Sequence, residues 1–462
     1  MIPHALALWG CWAFTLFLLW RDTKQRSDIS LALWLPTLWM MRCGSRAVDS
    51  WVSGGDMGRL DPVAIAILLV CGVYVLIRRP CRWSGILANN SALFILYGYL
   101  VVSTLWVDEL ENPLIKIFRP VGDLVMALVV ATERNSREAI MTMFRRCSFL
   151  LIPMSIVLIR YYHDLGTGRD KHWGEDMWVG VTTHKNPLGQ LCIVSALAFL
   201  WQLMEARKNG RRFNREYLVW LYLAMTVYLL HGGGNRSSQS STAMICLVVA
   251  LGLIWVFGRM RNRPEAVVKN IFLGAAALAT VAVLLELFGS SLQGLVAETQ
   301  GKDSTLTDRT YLWSDVIRIG SEHPILGSGY GGFWVPSLYA RLSPMVDNGP
   351  KEAHNGYLET FANLGLVGVG LLACVLVQSF LGATKMIHDD FEYGRLRLSL
   401  LFMVMVMNYA EATFTVGCHL WWFGFLVVAV YARPWVAWPE MPRSALEMEY
   451  EEFEREEETV PA

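Results

Sequence analysis

The chain has 462 residues, 54% of them hydrophobic and 17% charged, and its 40 lysine and arginine residues balance its 40 aspartate and glutamate residues. Soluble domains average about 25% charged residues, so this composition predicts an all-α polytopic membrane protein embedded in a lipid bilayer. A net charge of zero argues against nucleic acid as a partner. The nine cysteines show no CxxC spacing, which argues against a zinc site or a disulfide framework.

Apolar runs of the length needed to cross a bilayer follow one another along most of the chain. The first run lacks a basic leader and a small-residue cleavage site, so we interpret it as a retained span. We predict about 12–13 transmembrane helices, centred on 5–20, 29–44, 62–78, 91–107, 113–132, 146–160, 186–204, 217–231, 240–258, 269–288, 356–381, 396–410 and 417–432.

The distribution of basic residues predicts the orientation of these spans. More than half of the lysine and arginine residues lie in alternate short loops, such as 207–215, and such loops face the cytoplasm. The N-terminus and the long loops 161–185 and 289–355 then lie outside. The acidic tail, 433–462, is expected to be cytoplasmic and solvated.

His354 and Asn355 occur where the second long loop is predicted to re-enter the membrane as a helix. A histidine at this interface titrates near neutral pH, so it can take a proton from a sugar hydroxyl. The alternative is a histidine that only caps the helix or packs against it.

Arg309 lies in the same loop, in the segment LTDRTYLW. Thr307 or Asp308 is predicted to cap a short helix that runs to Ile319, and Arg309 would share a helix face with Trp313. A planar guanidinium there suits bidentate phosphate binding. The alternative is an ion pair with a nearby aspartate, either Asp308 or Asp315.

Arg236 follows three consecutive glycines, 232–234, just before an apolar span. Glycines let a backbone approach an anion closely, as in other phosphate-binding loops. The alternative is a flexible turn with no ligand.

Lys185 follows His184 and precedes Asn186 and Pro187 at the predicted start of span seven. Proline suits the first turn of a helix, and the free N–H groups there attract anions. The alternative is a helix start with an interfacial lysine.

Two further residues, Arg119 and Asp123, are four apart at the outer end of span five and are expected to form an ion pair. The other basic residues and the one imidazole suit an anionic, lipid-linked substrate and a general base. The sequence contains no nucleotide-binding glycine motif, DxD motif or metal-ligand cluster, so we expect no cofactor and no metal.

Seven segments resemble, in order, the motifs of the O-antigen ligase and polymerase family, which includes exopolysaccharide polymerases. The resemblance covers roughly residues 90–430, and residue 308 departs from it, because aspartate stands where the family usually has glycine. The segments are STLWVDE (103–109), TTHKNPLGQ (182–190), NRSSQSSTA (235–243), LTDRTYLW (306–313), HPILGSGYGGF (323–333), HNGYLETFANLGLVG (354–368) and NYAEATF (408–414).

The resemblance implies a GT-C-like membrane fold with a long helical periplasmic loop, in the inner membrane of a bacterium. It also implies a metal-independent, inverting transfer from an undecaprenyl-diphosphate-linked glycan. His354 would deprotonate the acceptor, Arg309 and Arg236 would hold the diphosphate, and Lys185 would assist. The matching positions expected to support them are Asn355, His184, Asn186, Trp313 and Glu411.

The resemblance also predicts the organisation of the chain. We expect N-terminal helices over 1–90, the ligase or polymerase-like domain over 91–432, and the tail. Polymerisation of exopolysaccharide or O-antigen is the favoured function, with export or chain-length proteins as possible partners. The alternatives are an O-antigen ligase acting on lipid A-core or protein, a polysaccharide flippase or transporter, and a membrane scaffold.

Overall fold

The structure is a computed structural model that describes residues 3–26, 28–52, 60–107, 113–169, 174–208, 216–261, 305–339, 341–342 and 350–431. Within these ranges the protein is a bundle of helices, and its strands form a single hairpin. A segment that crosses lipid has no water to bind its peptide groups, and a helix satisfies those groups within itself. The predicted all-α membrane fold is therefore confirmed.

The α-helices of the described ranges are numbered in chain order. They are α1 (His4–Lys24), α2 (Trp34–Cys43), α3 (Val48–Val52), α4 (Leu60–Arg78), α5 (Trp83–Asn89), α6 (Ser91–Ser103), α7 (Pro113–Ala131), α8 (Ser136–Tyr161), α9 (His163–Gly166), α10 (Lys185–Lys208), α11 (Tyr217–His231), α12 (Ser241–Arg259), α13 (Thr305–Gly320), α14 (Pro336–Tyr339), α15 (Gly356–Asp389), α16 (Phe391–Ala410) and α17 (Leu420–Ala429).

Short 3₁₀ turns and one hairpin connect some of these helices. The 3₁₀ turns are Leu31–Leu33, Thr104–Trp106, Gly232–Gly234 and Arg236–Ser238. The hairpin lies between α9 and α10, where β1 (Thr167–Arg169) pairs antiparallel with β2 (Asp176–Trp178). The second long loop contains α13 and α14, so it is helical in its described part, as predicted.

Every predicted span except one coincides with a helix, and the exception, 269–288, lies outside the described residues. In the part of the chain that the structure describes, five helices are long and apolar enough to cross a membrane: α4, α8, α10, α12 and α15. A sixth span results if α5 and the helix over 91–106, which meet at 86°, form one broken crossing. The other helices are shorter or more polar, so the count of 12–13 stays a prediction. The tail also lies outside the described residues.

Burial divides the spans into central and peripheral helices. The apolar windows of α8 and α10 are 83% and 78% buried, whereas those of α4 and α12 are only 22% buried. Lipid is as apolar as these side chains, so a peripheral span can expose them without cost. The central helix α10 contributes to the site described below.

Buried charges in the first half of α8 are paired. Asp22 on α1 lies 2.5 Å from Nη2 of Arg145 and 2.7 Å from Nε of Arg146. A buried charge is tolerated when a partner of opposite sign offsets its desolvation. These residues therefore hold the end of α1 against the first half of α8.

The predicted ion pair between Arg119 and Asp123 is wrong. Nη2 of Arg119 lies 3.7 Å from Oδ2 of Asp61, a residue of α4. Asp123 instead accepts hydrogen bonds from Nε1 of Trp39 (2.7 Å) and from the backbone N–H of Cys418 (2.9 Å). Both residues have partners from other parts of the chain, and the spacing of residues along one helix cannot predict such partners.

Candidate active site

His354 lies on the loop just before α15, as predicted. Its φ of 49° is left-handed, which is uncommon for a residue with a side chain. Its Nδ1 atom lies 2.9 Å from Oε1 of Glu352 and 3.9 Å from Oε2 of Glu411, and its side chain is 38% exposed. The imidazole is thus held between two carboxylates and stays open to the outside of the bundle.

Asn355 begins α15. Its side-chain oxygen accepts hydrogen bonds from the backbone N–H groups of Tyr357 (3.0 Å) and Leu358 (3.1 Å). This is the N-cap arrangement that satisfies the first amides of a helix. The cap is therefore Asn355, and the alternative in which His354 only caps the helix is wrong.

The peptide groups of Ala353 are held by side chains on both sides. Its N–H donates to Oε2 of Glu359 (2.9 Å), and its carbonyl accepts from Nε1 of Trp313 (2.9 Å). Glu359 also accepts from Nε1 of Trp334 (2.7 Å). These contacts fix the residue before His354 and so help to hold its unusual backbone conformation.

Glu411 follows α16 and connects His354 to two other segments. Nδ2 of Asn186 donates to Oε1 of Glu411 (2.6 Å), and the hydroxyl of Ser240 donates to Oδ1 of Asn186 (3.2 Å). The starts of α10 and α12 therefore meet the end of α16 beside the imidazole.

Arg309 reaches the same place from α13. Its Nη1 atom donates to the carbonyl of Ala410 at 2.9 Å. Its positive charge repels a proton on His354 and so lowers the pKa of that residue. Trp313, one turn later, packs edge-on against Tyr409 with 5.8 Å between the ring centroids. The predicted shared face of Arg309 and Trp313 thus covers the end of α16.

One local expectation about Arg309, the helix cap, is wrong. The helix starts at Thr305, so Thr307 and Asp308 lie inside it and do not cap it. Asp315 pairs with Arg318 at 2.7 Å, three residues along the same helix. The side chain of Asp308 lies outside the described part of the structure.

Lys185 begins α10, and Pro187 lies in the first turn, as predicted. Nζ of Lys185 donates to the carbonyl of Ser237 at 3.0 Å, so this lysine contacts the turn Arg236–Ser238. The side chain of Arg236 itself lies outside the described part. Nδ1 of His184 accepts from the backbone N–H of Asn186 at 3.4 Å.

Electrostatics favour a protonated imidazole at this site. Burial lowers the pKa of His354, but Glu352 and Glu411 outweigh this effect and raise it to about 9. Burial raises the pKa of Glu352, but the hydrogen bond to His354 brings it below the usual value. The three groups lie within 4.8 Å of one another, a spacing that could also accommodate a cation. A proton on His354 already supplies the positive charge.

α15 is broken at Gly365, where φ is 64° and ψ is −165°. The N–H groups of Leu366 and Val367 donate to the carbonyls of Pro324 (2.9 Å) and Ile325 (3.1 Å). The glycine-rich segment 323–333 therefore pairs with the interrupted helix.

The chain is similar to known proteins. A family model described as O-antigen ligase matches residues 236–373, the stretch that contains Arg309 and His354. The chain is also 25% identical over 316 residues to the exopolysaccharide production protein ExoQ of Rhizobium meliloti (strain 1021), covering 66% of this chain and 68% of that protein. Within residues 236–373 the chain is therefore similar to O-antigen ligases. Its apolar helices and this similarity indicate an integral membrane protein.

Five of the seven segments that resemble O-antigen ligases contribute to this one site: those containing Asn186, Ser240, Arg309, His354 and Glu411. The other two contact each other, because the hydroxyl of Ser103 accepts a hydrogen bond from the backbone N–H of Tyr330 at 3.1 Å. The motifs are therefore parts of one three-dimensional arrangement.

Three residues near the site were missed by sequence reasoning. Glu352 pairs with His354, and Glu359 holds the preceding residue. His419 has a pKa lowered by burial, and its Nδ1 accepts the N–H of Trp421 at the start of α17. Only Glu352 carried a signal, since a carboxylate two residues from a proposed base is a natural partner for it.

Proposed function

We propose that this protein is an exopolysaccharide or O-antigen polymerase that joins oligosaccharide units carried on undecaprenyl diphosphate at the outer face of the inner membrane. The observation that supports this most is the meeting of His354, Glu411, Arg309 and Asn186 at one end of the bundle. A titratable group and a guanidinium at a membrane rim suit a substrate whose lipid lies in the bilayer and whose diphosphate lies at its surface.

In the proposed reaction His354 removes the proton from an acceptor sugar hydroxyl. The hydroxyl oxygen attacks the anomeric carbon of the donor sugar from the side opposite the diphosphate, and the bond to the phosphate oxygen breaks. A new glycosidic bond forms with inversion, and undecaprenyl diphosphate leaves with the bonding electron pair. Arg309 and Arg236 bind the diphosphate oxygens, which is the charge-assisted pairing that guanidinium groups favour, and Lys185 assists.

The remaining residues hold this arrangement. Asn355 caps the helix behind the base, and Trp313 fixes the preceding carbonyl. Glu411 lies between the imidazole and Asn186. His184 contacts the backbone of the helix start. Each of these contacts acts on position or charge.

We propose that the reaction needs no metal, since the guanidinium groups offset the developing negative charge that a metal would offset elsewhere. Treatment of the purified protein with a strong chelator is expected to leave the rate of glycan transfer unchanged. Loss of transfer that returns when a divalent cation is added back would contradict the metal-free reaction.

The catalytic roles are tested with purified protein and a lipid-diphosphate glycan. His354→Ala and Arg309→Ala are each expected to lower the rate by about a hundredfold or more, the usual effect of losing a general base or an electrostatic donor. The measurement is the turnover number, read from product chain length and released lipid diphosphate.

Two matched controls exist on the same side of the bundle. His163 is an exposed histidine of the short helix α9, and Arg318 is an exposed arginine of α13 that pairs with Asp315. His163→Ala and Arg318→Ala are expected to keep near-normal turnover. If the two test variants matched the controls, the proposed mechanism would be wrong.

A ligase is the second candidate, because the matching family model is described as O-antigen ligase. The polymerase is preferred because the aligned relative is described as an exopolysaccharide production protein and the segment TTHKNPLGQ resembles exopolysaccharide polymerases. Deletion of the gene should abolish long secreted polysaccharide while single repeat units are still made. Intact free polymer together with bare lipid core would point to the ligase.

A further inference from the structure

Two cysteines from distant parts of the sequence lie side by side near the candidate active site. Cys43 ends α2, and Cys418 lies in the loop 411–419 that joins α16 to α17 and begins with Glu411. Both thiols are free and half-buried. Their sulfur atoms and a carboxylate oxygen of Asp123 lie within 4.8 Å of one another.

The backbones around these thiols are also close. A Cβ atom placed on Gly44 would lie 3.6 Å from the side chain of Leu420, so the end of α2 packs against the start of α17. Asp123 on α7 joins both neighbours, because it accepts from Trp39 on α2 and from the N–H of Cys418. The two cysteines are thus held next to each other by contacts that do not involve sulfur.

The cluster suits a bond between the thiols better than a metal ion. Each oxygen of Asp123 already accepts a hydrogen bond, and the guanidinium of Arg42 is close enough to act on both Cys43 and Asp123. A cation placed there would face that positive charge. Structural zinc also takes four ligands, whereas three side chains meet here among the described residues.

We propose that Cys43 and Cys418 form a disulfide that ties the loop 411–419 to α2. The proposal rests on the proposed function in one respect: the site, and so both thiols, must face the oxidising outer compartment. One thiolate attacks the disulfide of a thiol–disulfide oxidoreductase and forms a mixed disulfide. The second thiolate then displaces the oxidoreductase, which leaves with two thiols, so that two protons and two electrons are transferred.

The bond would secure a loop with an unusual backbone. Thr415 and Cys418 both have left-handed conformations, with φ of 61° and 59°. The hydroxyl of Tyr330 donates to the carbonyl of Thr415 at 3.0 Å, and Asp123 holds Cys418. A covalent link at Cys418 adds a third attachment, and it limits how far Glu411 can move from His354. The sequence argues against a framework of several disulfides, which is compatible with a single bond of this kind.

The test traps thiols in intact cells with a membrane-permeant alkylating reagent before the protein is denatured. A maleimide polymer then labels any cysteine that becomes reactive after reduction. The wild-type protein is expected to gain two labels on reduction, and mass spectrometry should find the peptides of Cys43 and Cys418 linked. Cys43→Ser and Cys418→Ser are each expected to gain none. The control Cys374→Ser, on an exposed position of α15, should still gain two.

Reduction that adds no label to the wild-type protein would overturn the proposal, and so would one zinc ion bound per chain with both thiols reduced. The readout does not depend on catalysis, so the inactive variant His354→Ala should keep the linkage. If the bond is absent in a protein that still polymerises glycan, the disulfide proposal is wrong and the proposed function stands. If His354→Ala is inactive and keeps the linkage, both the disulfide proposal and the proposed function are supported.

Discussion

The charge on His354 decides which step it can perform. Its pKa of about 9 means that most molecules carry the imidazolium at neutral pH, and the neutral base becomes the main form only above that pKa. If His354 acts as the base, kcat/KM should rise about tenfold per pH unit from pH 7 towards 9 and then level off, because this ratio reports the free enzyme. The measurement is a pH–rate profile with the lipid-linked donor.

The variant Glu352→Gln supplies the control for this profile. It removes the carboxylate that lies 2.9 Å from Nδ1, so the pKa of His354 should fall and the rise in kcat/KM should move to lower pH. A profile that falls between pH 7 and 9 in the wild-type protein would show that the imidazolium is the active form. The base role would then be wrong.

Glu359 should act through position alone, since it contacts Ala353 and Trp334 rather than the imidazole. In Glu359→Gln, one carboxylate oxygen is replaced by an NH₂ group, which cannot accept the hydrogen bond that Ala353 or Trp334 donates. The turn that carries His354 should then shift. We expect kcat to fall by about tenfold to a hundredfold with little change in KM. Glu322→Gln, at an exposed carboxylate paired with Arg341, is the control. An unchanged kcat in Glu359→Gln would exclude the positioning role.

At the scale of elements, the break in α15 depends on one glycine. Gly365 has a backbone conformation that is nearly exclusive to glycine, and a Cβ atom there would lie 2.3 Å from the carbonyl oxygen of Ile325. Gly365→Ala should lower the free energy of unfolding by about 1–3 kcal/mol or more. Thermal unfolding in detergent measures the loss as a lower midpoint temperature.

The same helix offers a matched control. A Cβ atom on Gly370 would meet nothing within 4 Å, so Gly370→Ala should leave the midpoint unchanged or slightly higher. Equal effects of the two substitutions would mean that the broken conformation at Gly365 is not needed for stability.

Hydropathy predicts where helices lie but not where they break. The segment NLGLVGVG around Gly365 is as apolar as a continuous helix, so its sequence carries no sign of the interruption. The reason for the break is the pairing with residues 323–333, a contact between distant parts of the chain. The same holds for Arg119, which pairs with Asp61 on another helix. The start of α13 was also misplaced, because a good capping residue does not stop a helix from starting earlier.

The site itself was more predictable than its supports. The sequence predicts His354 and Arg309 from the chemistry of a histidine and an arginine in the outer loop, and it predicts Glu411 from the resemblance to a family. The residues that support them come from several parts of the sequence. Glu359 lies on the first turns of an apolar span, and Cys43 and Cys418 are separated by most of the sequence, so no local pattern could join them.

Across the whole molecule, charge is divided between the two ends of the bundle. Arg145 and Arg146, in the first half of α8, lie against Asp22 near the end of α1, while the starts of α10 and α15 and the end of α16 form the candidate site at the other end. An enzyme that uses exported lipid-linked sugars needs its base and its guanidinium groups on the outer side. The direction of the bundle in the membrane is therefore the condition on which the proposed chemistry depends.

That direction can be measured with two tags. The loop 209–215 is rich in arginine, so the positive-inside rule places it in the cytoplasm, and the loop 343–349 should then lie outside. A short epitope inserted at residue 346 should be labelled by antibody once the outer membrane alone is opened. An epitope at residue 212 should be labelled only after the inner membrane is permeabilised. Retained polysaccharide production shows that the tagged proteins fold. The reverse pattern would place His354 in the cytoplasm, where it could not meet an exported donor.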